Sequence, residues 1–426
     1  MSRLKEMIAE LCPDGVEYKS LTEIFQTRNG YTPSKGNPSF WENGTVPWFR
    51  MEDIRENGRV LSGATQYVSR DAVKGELFPA NSIIVATSAT IGEHALITVP
   101  SLANQRFTYL MLKEEYASSF DIMFLFYYCF KLDEYCKACL NQGNFASVDM
   151  QKFAKFEFPI PPLHVQREIV RVLDNFMERT AELTAELEAE LTARKKQYEF
   201  YRNQLLSFGV RRDTYEVEWK TVADMGRWSG GKTPSMVEHD YWDDGTIPWI
   251  TSKDMKYHTL SDTQDHITET AVTNASMTVY PKDSIAIVTR SGILKHTFPV
   301  AFVPFNTTVN QDIKILVVNE TVIPRYVFHL LQGKGKDILA KTKKQGGTVD
   351  SLDFQKVLSY TVPIPSLELQ QRIVTILDRF DALCNDLTSG LPAEIEARQK
   401  QYEYYRDKLL TFPEILSESE KECAAL

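Results

Sequence analysis

Apolar residues between positions 166 and 208 recur at steps of three, four or seven: Ile169, Leu173, Phe176, Leu183, Leu187, Leu191, Tyr198, Leu205 and Phe208. That stripe predicts one long helix over 166–208 with a coiled-coil seam. Its middle, Thr180 to Leu191, is nearly a four-residue repeat of strong helix formers. Pro159, Pro161 and Pro162 stop any earlier helix and fix an extended lead-in. At about 1.5 Å per residue the helix spans roughly 65 Å. A stripe of that length needs a partner to cover it.

The partner is a second copy of the pattern. Phe158-Pro159-Ile160-Pro161-Pro162-Leu163 recurs as Val362-Pro363-Ile364-Pro365-Ser366-Leu367, at an offset of 363 − 159 = 204. At that offset Gln166 meets Gln370, Leu173-Asp174 meets Leu377-Asp378, and Arg194 to Arg202 meets Arg398 to Arg406. The second stretch departs from the first at Ser389-Gly390-Leu391-Pro392, where Pro392 should kink or interrupt the helix. The segments ahead of the helices repeat as well, at an offset of 248 − 47 = 201. Gly30-Tyr31-Thr32-Pro33-Ser34 returns as Gly231-Lys232-Thr233-Pro234-Ser235, and Gly44-Thr45-Val46-Pro47-Trp48 as Gly245-Thr246-Ile247-Pro248-Trp249. Between these blocks the halves diverge. One frame with two contents suggests one scaffold reading two different targets.

Each globular half reads as α+β. Ile83 to Thr87, Ile285 to Thr289 and Ile313 to Val318 are β-branched strand runs, while Phe120 to Tyr128 and Arg325 to Leu331 are apolar helix segments. Ser147 and Ser351 are candidate N-caps for the short helices before the proline-rich lead-ins. Leu4, Met7, Ile8 and Leu11 mark a short amphipathic helix, in the place that the end of the first long helix holds before the second half. The repeat is thus nearly circular, and the chain ends are expected to meet.

Length changes the picture little: 426 residues suit two or three domains. No run of about 18 apolar residues appears, so no membrane span is expected. The first residues lack the apolar stretch of a secretory signal, which points to the cytoplasm. Six irregularly spaced cysteines argue against a disulfide scaffold, and Cys129, Cys136 and Cys139 read as packing residues on one helix face. The net charge of −9 does not advertise a nucleic-acid binder. Affinity for phosphate follows local charge, however. Part of the acidity sits in the tail 413–426, and a basic stretch runs from Lys334 to Lys344.

Catalytic motifs are weak. Gly226 to Thr233 matches a phosphate loop formally, but Pro234 follows at once and the other half has Phe25 and Tyr31 where Gly226 and Lys232 stand. The shared Gly-x-Thr-Pro-Ser reads better as a scaffold turn. Asp283 with Asp312-Ile313-Lys314 loosely resembles a nuclease pattern, but Ile313, Ile315 and Val317 alternate as a half-buried strand that turns Lys314 outward. There is no Asn/Asp-Pro-Pro-Tyr methyltransferase motif and no histidine cluster for a metal. For DNA contacts the polar and basic residues of module loops stand out. They are Arg50, Thr87, Ser88, Asn104, Gln105 and Arg106 in the first half. In the second they are Lys232, Ser252, Lys253, Arg290, Ser291, Asn310, Gln311, Lys341, Lys343 and Lys344, with Ser252-Lys253 in the place of Arg50. Asn and Gln pair bidentately with adenine and Arg with guanine, while lysines suit phosphates. Set against this, Asn and Gln before a strand often close a turn. Trp41, Trp48, Trp242 and Trp249 recur in both halves, as core scaffold would.

The twice-repeated frame Pro-Ile-Pro-x-Leu-x-x-Gln-x-x-Ile, with its long helix ending in Lys-Gln-Tyr-x-x-Tyr-Arg, resembles the specificity subunit of Type I restriction-modification enzymes over nearly the whole chain. The resemblance implies target recognition domains at 1–157 and 209–361, and spacer helices at 158–208 and 362–412 packed as an antiparallel coiled coil. It implies that each domain reads one half of a bipartite site in double-stranded DNA. Two methyltransferase subunits would dock on the helical regions, through Gln166, Arg194, Tyr198, Tyr201 and Arg202 and their counterparts Gln370, Arg398, Tyr402, Tyr405 and Arg406, and restriction subunits would join them. The chain itself would be non-catalytic and hold no cofactor, with S-adenosylmethionine, ATP and Mg on the partner subunits. Two modules on a rod suit DNA segments about one turn, ~34 Å, apart. The other reading is a two-module coiled-coil adaptor that binds proteins without DNA. Such an adaptor would need neither a basic loop nor duplicated Asn-Gln turns.

Overall fold

A computed structural model describes residues 2–141, 146–208, 217–344, 349–385 and 390–415; the acidic tail beyond 415 lies outside them. The chain divides into two compact units, residues 1–182 with 398–426, and residues 183–397. We label the long helices α1 (Ser2–Leu11), α2 (Ile122–Ala138), α3 (Leu163–Leu205), α4 (Pro324–Thr342), α5 (Leu367–Asn385) and α6 (Leu391–Leu409). The helix expected over 166–208 is α3. It starts earlier because the Pro162 carbonyl accepts from the Val165 and Gln166 amides, at 2.8 and 3.1 Å. The second stretch is two helices, α5 and α6. Gly390 precedes α6 and Pro392 is its second residue, where no intrahelical N–H is required.

In the first unit a five-stranded sheet carries Phe25–Asn29, Phe107–Leu112, Ser82–Ala86, His94–Ile97 and Val60–Leu61 in that order. The central strand Ser82–Ala86 is buried throughout, which is why it reads as a continuous apolar run rather than an alternation. On one face the sheet meets α2, the start of α3 and the end of α6 in one core. The other face packs on a smaller sheet of Tyr67–Val68, Val46–Phe49 and Leu102–Ala103. Cys129 and Cys136 are buried in α2, and burial pushes their thiols up, that of Cys136 to about 12. They are protonated packing groups.

The second unit repeats the plan. Its four-stranded sheet carries Gly226–Gly230, Ile313–Val318, Ser284–Val288 and Val300–Val303, with α4, α5 and the end of α3 against one face. A smaller sheet holds Asp265–Ile267, Ile247–Ile250 and Thr308–Val309. The short helices Met150–Ala154 and Phe354–Leu358 are capped by Asp149 and Asp353, two residues beyond the serines the sequence suggested. Ser147 and Ser351 instead pair as strand bridges with Ser88 and Arg290.

The helix seam is built the same way twice. In the first unit Phe176 of α3 stacks on Tyr405 of α6 at 5.7 Å; in the second, Tyr201 of α3 stacks on Phe380 of α5 at 5.5 Å. The 204 offset carries Phe176 onto Phe380 and Tyr201 onto Tyr405, so each unit makes the same pair with the helices exchanged, as an antiparallel coiled coil requires. The chain ends meet inside the first unit. Val16 pairs with Glu414, and the Tyr18 hydroxyl donates to the Phe412 carbonyl at 2.9 Å. One expectation changes here. The place that Leu206 holds at the end of α3 in the second unit is taken in the first by Leu410 at the end of α6. Helix α1 is an addition beside it, because its Leu4 and Ile8 need a cover that a free amphipathic helix lacks.

Candidate nucleic-acid interface

At one end of each unit a turn between two strands, one from each sheet, collects several loops. In the first unit it is Asn104-Gln105-Arg106. The Asn104 amide donates to the Phe49 carbonyl (3.0 Å), its side-chain oxygen accepts from the Arg106 amide (3.0 Å), and the Arg106 carbonyl accepts from the Thr87 amide (3.0 Å). Thr87 in turn takes the Val148 amide at 2.9 Å, and the Gln105 side-chain oxygen accepts from the Thr32 hydroxyl. The second unit repeats each bond. Asn310 donates to Ile250 (3.0 Å) and closes on the Asp312 amide (3.0 Å), while the Asp312 carbonyl accepts from Thr289 (2.8 Å). Thr289 takes the Leu352 amide (2.9 Å), and Gln311 accepts from the Thr233 hydroxyl (2.6 Å).

The frame under these turns is also duplicated. Trp41 and Trp48 meet edge-on at 5.0 Å, as do Trp242 and Trp249. Their indole N–H groups donate to the carbonyls of Ser34 and Tyr31, and of Ser235 and Lys232, at 2.9 to 3.1 Å. These tryptophans are scaffold. Gly30 and Gly231 lie where the Gly-x-Thr-Pro-Ser segment crosses the Asn-Gln turn, and a Cβ at either would collide with backbone carbonyls. Gly226–Gly230 is a strand rather than a phosphate loop.

The structure sorts the candidate contact residues. Asn104, Asn310, Thr87 and Thr289 spend their side chains inside the frame: the asparagines close the turns, Thr87 pairs with the Thr108 hydroxyl, and Thr289 donates to Asp312. Gln105, Arg106, Lys232, Lys253, Arg290, Gln311 and Lys344 are exposed on the tips; Arg50, Ser88, Ser252, Ser291 and Lys343 are half-buried there. The position matching Arg50 is Thr251, one residue before Ser252. Asp53 accepts from the Arg50 amide (2.7 Å) as Asp254 does from Thr251 (2.8 Å), and that fixes the register. Lys341 is not brought to the tip. It pairs with Asp337 at 2.8 Å and lines a separate groove with Trp219, Lys334, Lys356 and Tyr360.

Two groups were missed by sequence reading, and a third, Asp312, was read only within a weak nuclease-like pattern. Asp53 and Asp254 are buried anchors whose duplication at offset 201 was the available signal. Asp312 stands where the first unit has Arg106, with Arg290 at 4.0 Å, so the two tips present opposite charges at one position.

The proposed docking residues divide likewise. Gln166 is fully buried: it accepts from the Asp121 amide (2.8 Å) and donates to the carbonyls of Ser119 (2.8 Å) and Pro161 (2.7 Å). Gln370 does the same with Ile323, Thr321 and Pro365. Tyr198 is buried against His329 (2.9 Å) and Gln332 (2.8 Å), and Tyr402 and Arg406 are buried too, the latter over the Phe130 ring at 4.2 Å. These five hold the modules on the helices and present no surface to dock. Arg202 is largely engaged with Gln332 (2.7 Å). Tyr201 is exposed, and Arg194, Arg398 and Tyr405 are half-buried.

Among the described residues no group of three or more His, Cys, Asp or Glu could hold a metal ion, and no helix is long and apolar enough to cross a membrane. Burial depresses the pKa of His329, while its hydrogen bond to the Asp378 carboxylate opposes the shift. Burial works to raise that of Asp378, yet bonds from His329 and Arg325 hold it below the usual carboxylate range.

Comparison with known proteins agrees with the duplicated plan. The family model described as Type I restriction modification DNA specificity domain matches twice, over residues 13–193 and 215–397. The chain is 41% identical over 392 residues to the Type I restriction enzyme EcoprrI specificity subunit of Escherichia coli, covering 88% of this chain and 89% of that one. It is 47% identical over 279 residues to the EcoR124I/EcoR124II specificity subunit of Escherichia coli, covering 64% and 67%. A solved chain from work on complex assembly and conformational transition of the type I R-M system superposes with a TM-score of 0.66 at 14% identity, over 93% of this chain and 98% of that one.

Proposed function

The chain belongs to the specificity subunits of Type I restriction-modification enzymes, and from that premise we propose that each tip reads one half of a bipartite, asymmetric site in double-stranded DNA. The observation that carries this reading is the one turn built twice by the same hydrogen bonds and furnished with different exposed side chains. The first tip offers Arg50 and Arg106, which suit guanine edges, and Gln105, whose side-chain N–H2 suits a base acceptor. The second offers Gln311, Arg290, Lys232 and Lys253, with Asp312 suited to the cytosine amino group. Lys343 and Lys344 suit phosphates, which position without specifying. Bound to Thr32 or Thr233, the Gln105 or Gln311 carbonyl is already spent, so the free amide N–H2 faces the partner.

The helices set the unread gap and dock methyltransferase subunits, which restriction subunits join. Methyl transfer and cleavage, with S-adenosylmethionine, ATP and Mg, fall to those partners, and this chain contributes recognition alone. Four extra residues in α3 would lengthen it by about 6 Å, close to two base-pair rises of ~3.4 Å.

The test is methylation of host DNA by this chain co-expressed with its neighbouring methyltransferase, mapped by single-molecule sequencing. A bipartite motif that disappears when the chain is deleted supports the reading, and exchange of residues 209–361 then changes one half-site alone. No motif, with the partners expressed and active, sinks it.

A further inference from the structure

One side-chain hydrogen bond joins the two duplicated motifs at both tips. In the first unit the Thr32 hydroxyl of Gly-x-Thr-Pro-Ser donates to the Gln105 side-chain oxygen, and in the second Thr233 donates to that of Gln311 at 2.6 Å. Both threonines are held firmly. The residue before each is tied to the strand leading into the turn, Tyr31 to the Ala103 carbonyl (2.8 Å) and Lys232 to that of Val309 (3.0 Å). The residue after each is a buried proline, Pro33 or Pro234, which confines the threonine to extended backbone. The glutamines sit in turns that Asn104 and Asn310 have already closed.

The turns are therefore complete without the threonine bond, and Gln105 and Gln311 are exposed. What the bond does is choose which end of the amide faces outward. With the oxygen drawn in to the threonine, the two N–H hydrogens are left at the tip. A bidentate pair with adenine needs oxygen and N–H2 on one edge, to accept from N6 and donate to N7. The lock takes that pairing away. Of the four bases, guanine alone sets two acceptors, O6 and N7, side by side in the major groove. A group that offers two hydrogens and no acceptor fits that edge.

We propose that Thr32 and Thr233 are specificity-determining positioning residues, each holding its glutamine as a donor to guanine and so excluding adenine at one position of each half-site. The inference rests on the recognition reading above and narrows it. The two half-sites then share a G·C pair read by the duplicated Thr–Gln device. They differ at the next residue, where the first tip has Arg106 and the second Asp312.

The test maps methylation in cells that express the full chain with its neighbouring methyltransferase, as wild type, Thr233→Val or Thr233→Ser. Thr233 is exposed, so neither change disturbs a core, and the first half-site serves as the control within each molecule. The wild-type motif should hold a G·C pair in each half-site. Thr233→Val frees the amide to turn, and methylation of sites with adenine in place of that one guanine should rise about tenfold, within what a single base contact discriminates. Thr233→Ser keeps the hydroxyl and should keep the wild-type motif, and Thr32→Val should relax the first half-site alone. Gln311→Glu, which replaces the donor by an acceptor, should exchange that guanine for cytosine, and it decides the matter if Thr233→Val methylates nothing. A half-site without a G·C pair, an unchanged motif in Thr233→Val, equal relaxation in Thr233→Ser, or guanine retained in Gln311→Glu would overturn the proposal while leaving bipartite recognition in place. Absence of any bipartite motif would overturn both.

Discussion

Helix α2 in the first unit and helix α4 in the second hold the same place against the main sheet, but they hold it by different chemistry. Gln166 and Gln370 fix the start of each helix through the same three bonds. Beyond that start the two diverge. In α2, Asp133 is buried beside His94 (2.7 Å) and Arg59 (3.2 Å). In α4 that position is Gly335, with the Phe298 ring laid across it. Tyr127 reaches Asp174 at 2.5 Å, whereas Arg325 and His329 share Asp378 at 2.6 and 2.7 Å. The frame that attaches module to helix is thus fixed at a few polar anchors, while the core between anchors is free to change as long as buried charge stays paired and volume is filled.

The largest break in this comparison should come from the buried ions. Asp133→Ala leaves a cation without its counter-ion and should cost about 3–5 kcal/mol, read as lost hydrogen-exchange protection over Ile122–Ala138. Transplanting the charge fails as well. Gly335→Asp sets a Cβ at 3.3 Å from Phe298 with no His or Arg counterpart, and should cost about 3 kcal/mol on the α4 peptides. If the exchanged residue is tolerated, the two cores are less distinct than their contacts indicate.

The anchors should behave alike. Gln166→Ala and Gln370→Ala each orphan a backbone amide and two carbonyls, and each should cost about 2–3 kcal/mol in its own unit. Unequal losses would mean that the attachment is not one frame used twice. Next in size is the tyrosine pair. Tyr198→Phe removes two buried hydrogen bonds and should cost about 1–2 kcal/mol. Tyr402→Phe should be close to neutral, since the buried Tyr402 hydroxyl has no hydrogen-bond partner among the described residues. Denaturant melts of both variants check this.

The smallest effect sharpens the difference by pH. His329 has a depressed pKa in the fold, chiefly from burial, so the unfolded chain binds more protons below about 6.5 and stability falls as pH drops through that value. Asp378, held low by His329 and Arg325 against the effect of burial, adds a further loss nearer pH 4. Exchange protection of α4 should therefore weaken between pH 7.5 and 5.5, relative to the intrinsic rates, and His329→Asn should flatten that slope. A slope unchanged in His329→Asn would assign the pH dependence to other groups.

Much of this was legible because it is local or repeated. The α3 stripe, the proline lead-ins, the interruption at Pro392 and the twofold frame all follow from spacing along the chain, since helix period and proline geometry act over a few residues. The duplicated tryptophans marked the scaffold for the same reason. What sequence could not separate was a turn-closing Asn104 from an exposed Gln105, or an exposed Tyr201 from a buried Tyr198 one helical turn away. Those fates depend on which face the folded partner covers. The counterpart of Arg50 is Thr251 because buried Asp53 and Asp254 set the register. Periodicity chose the elements and their duplication. Burial, which only the tertiary structure decides, chose which polar side chains hold the frame and which are left to face a partner.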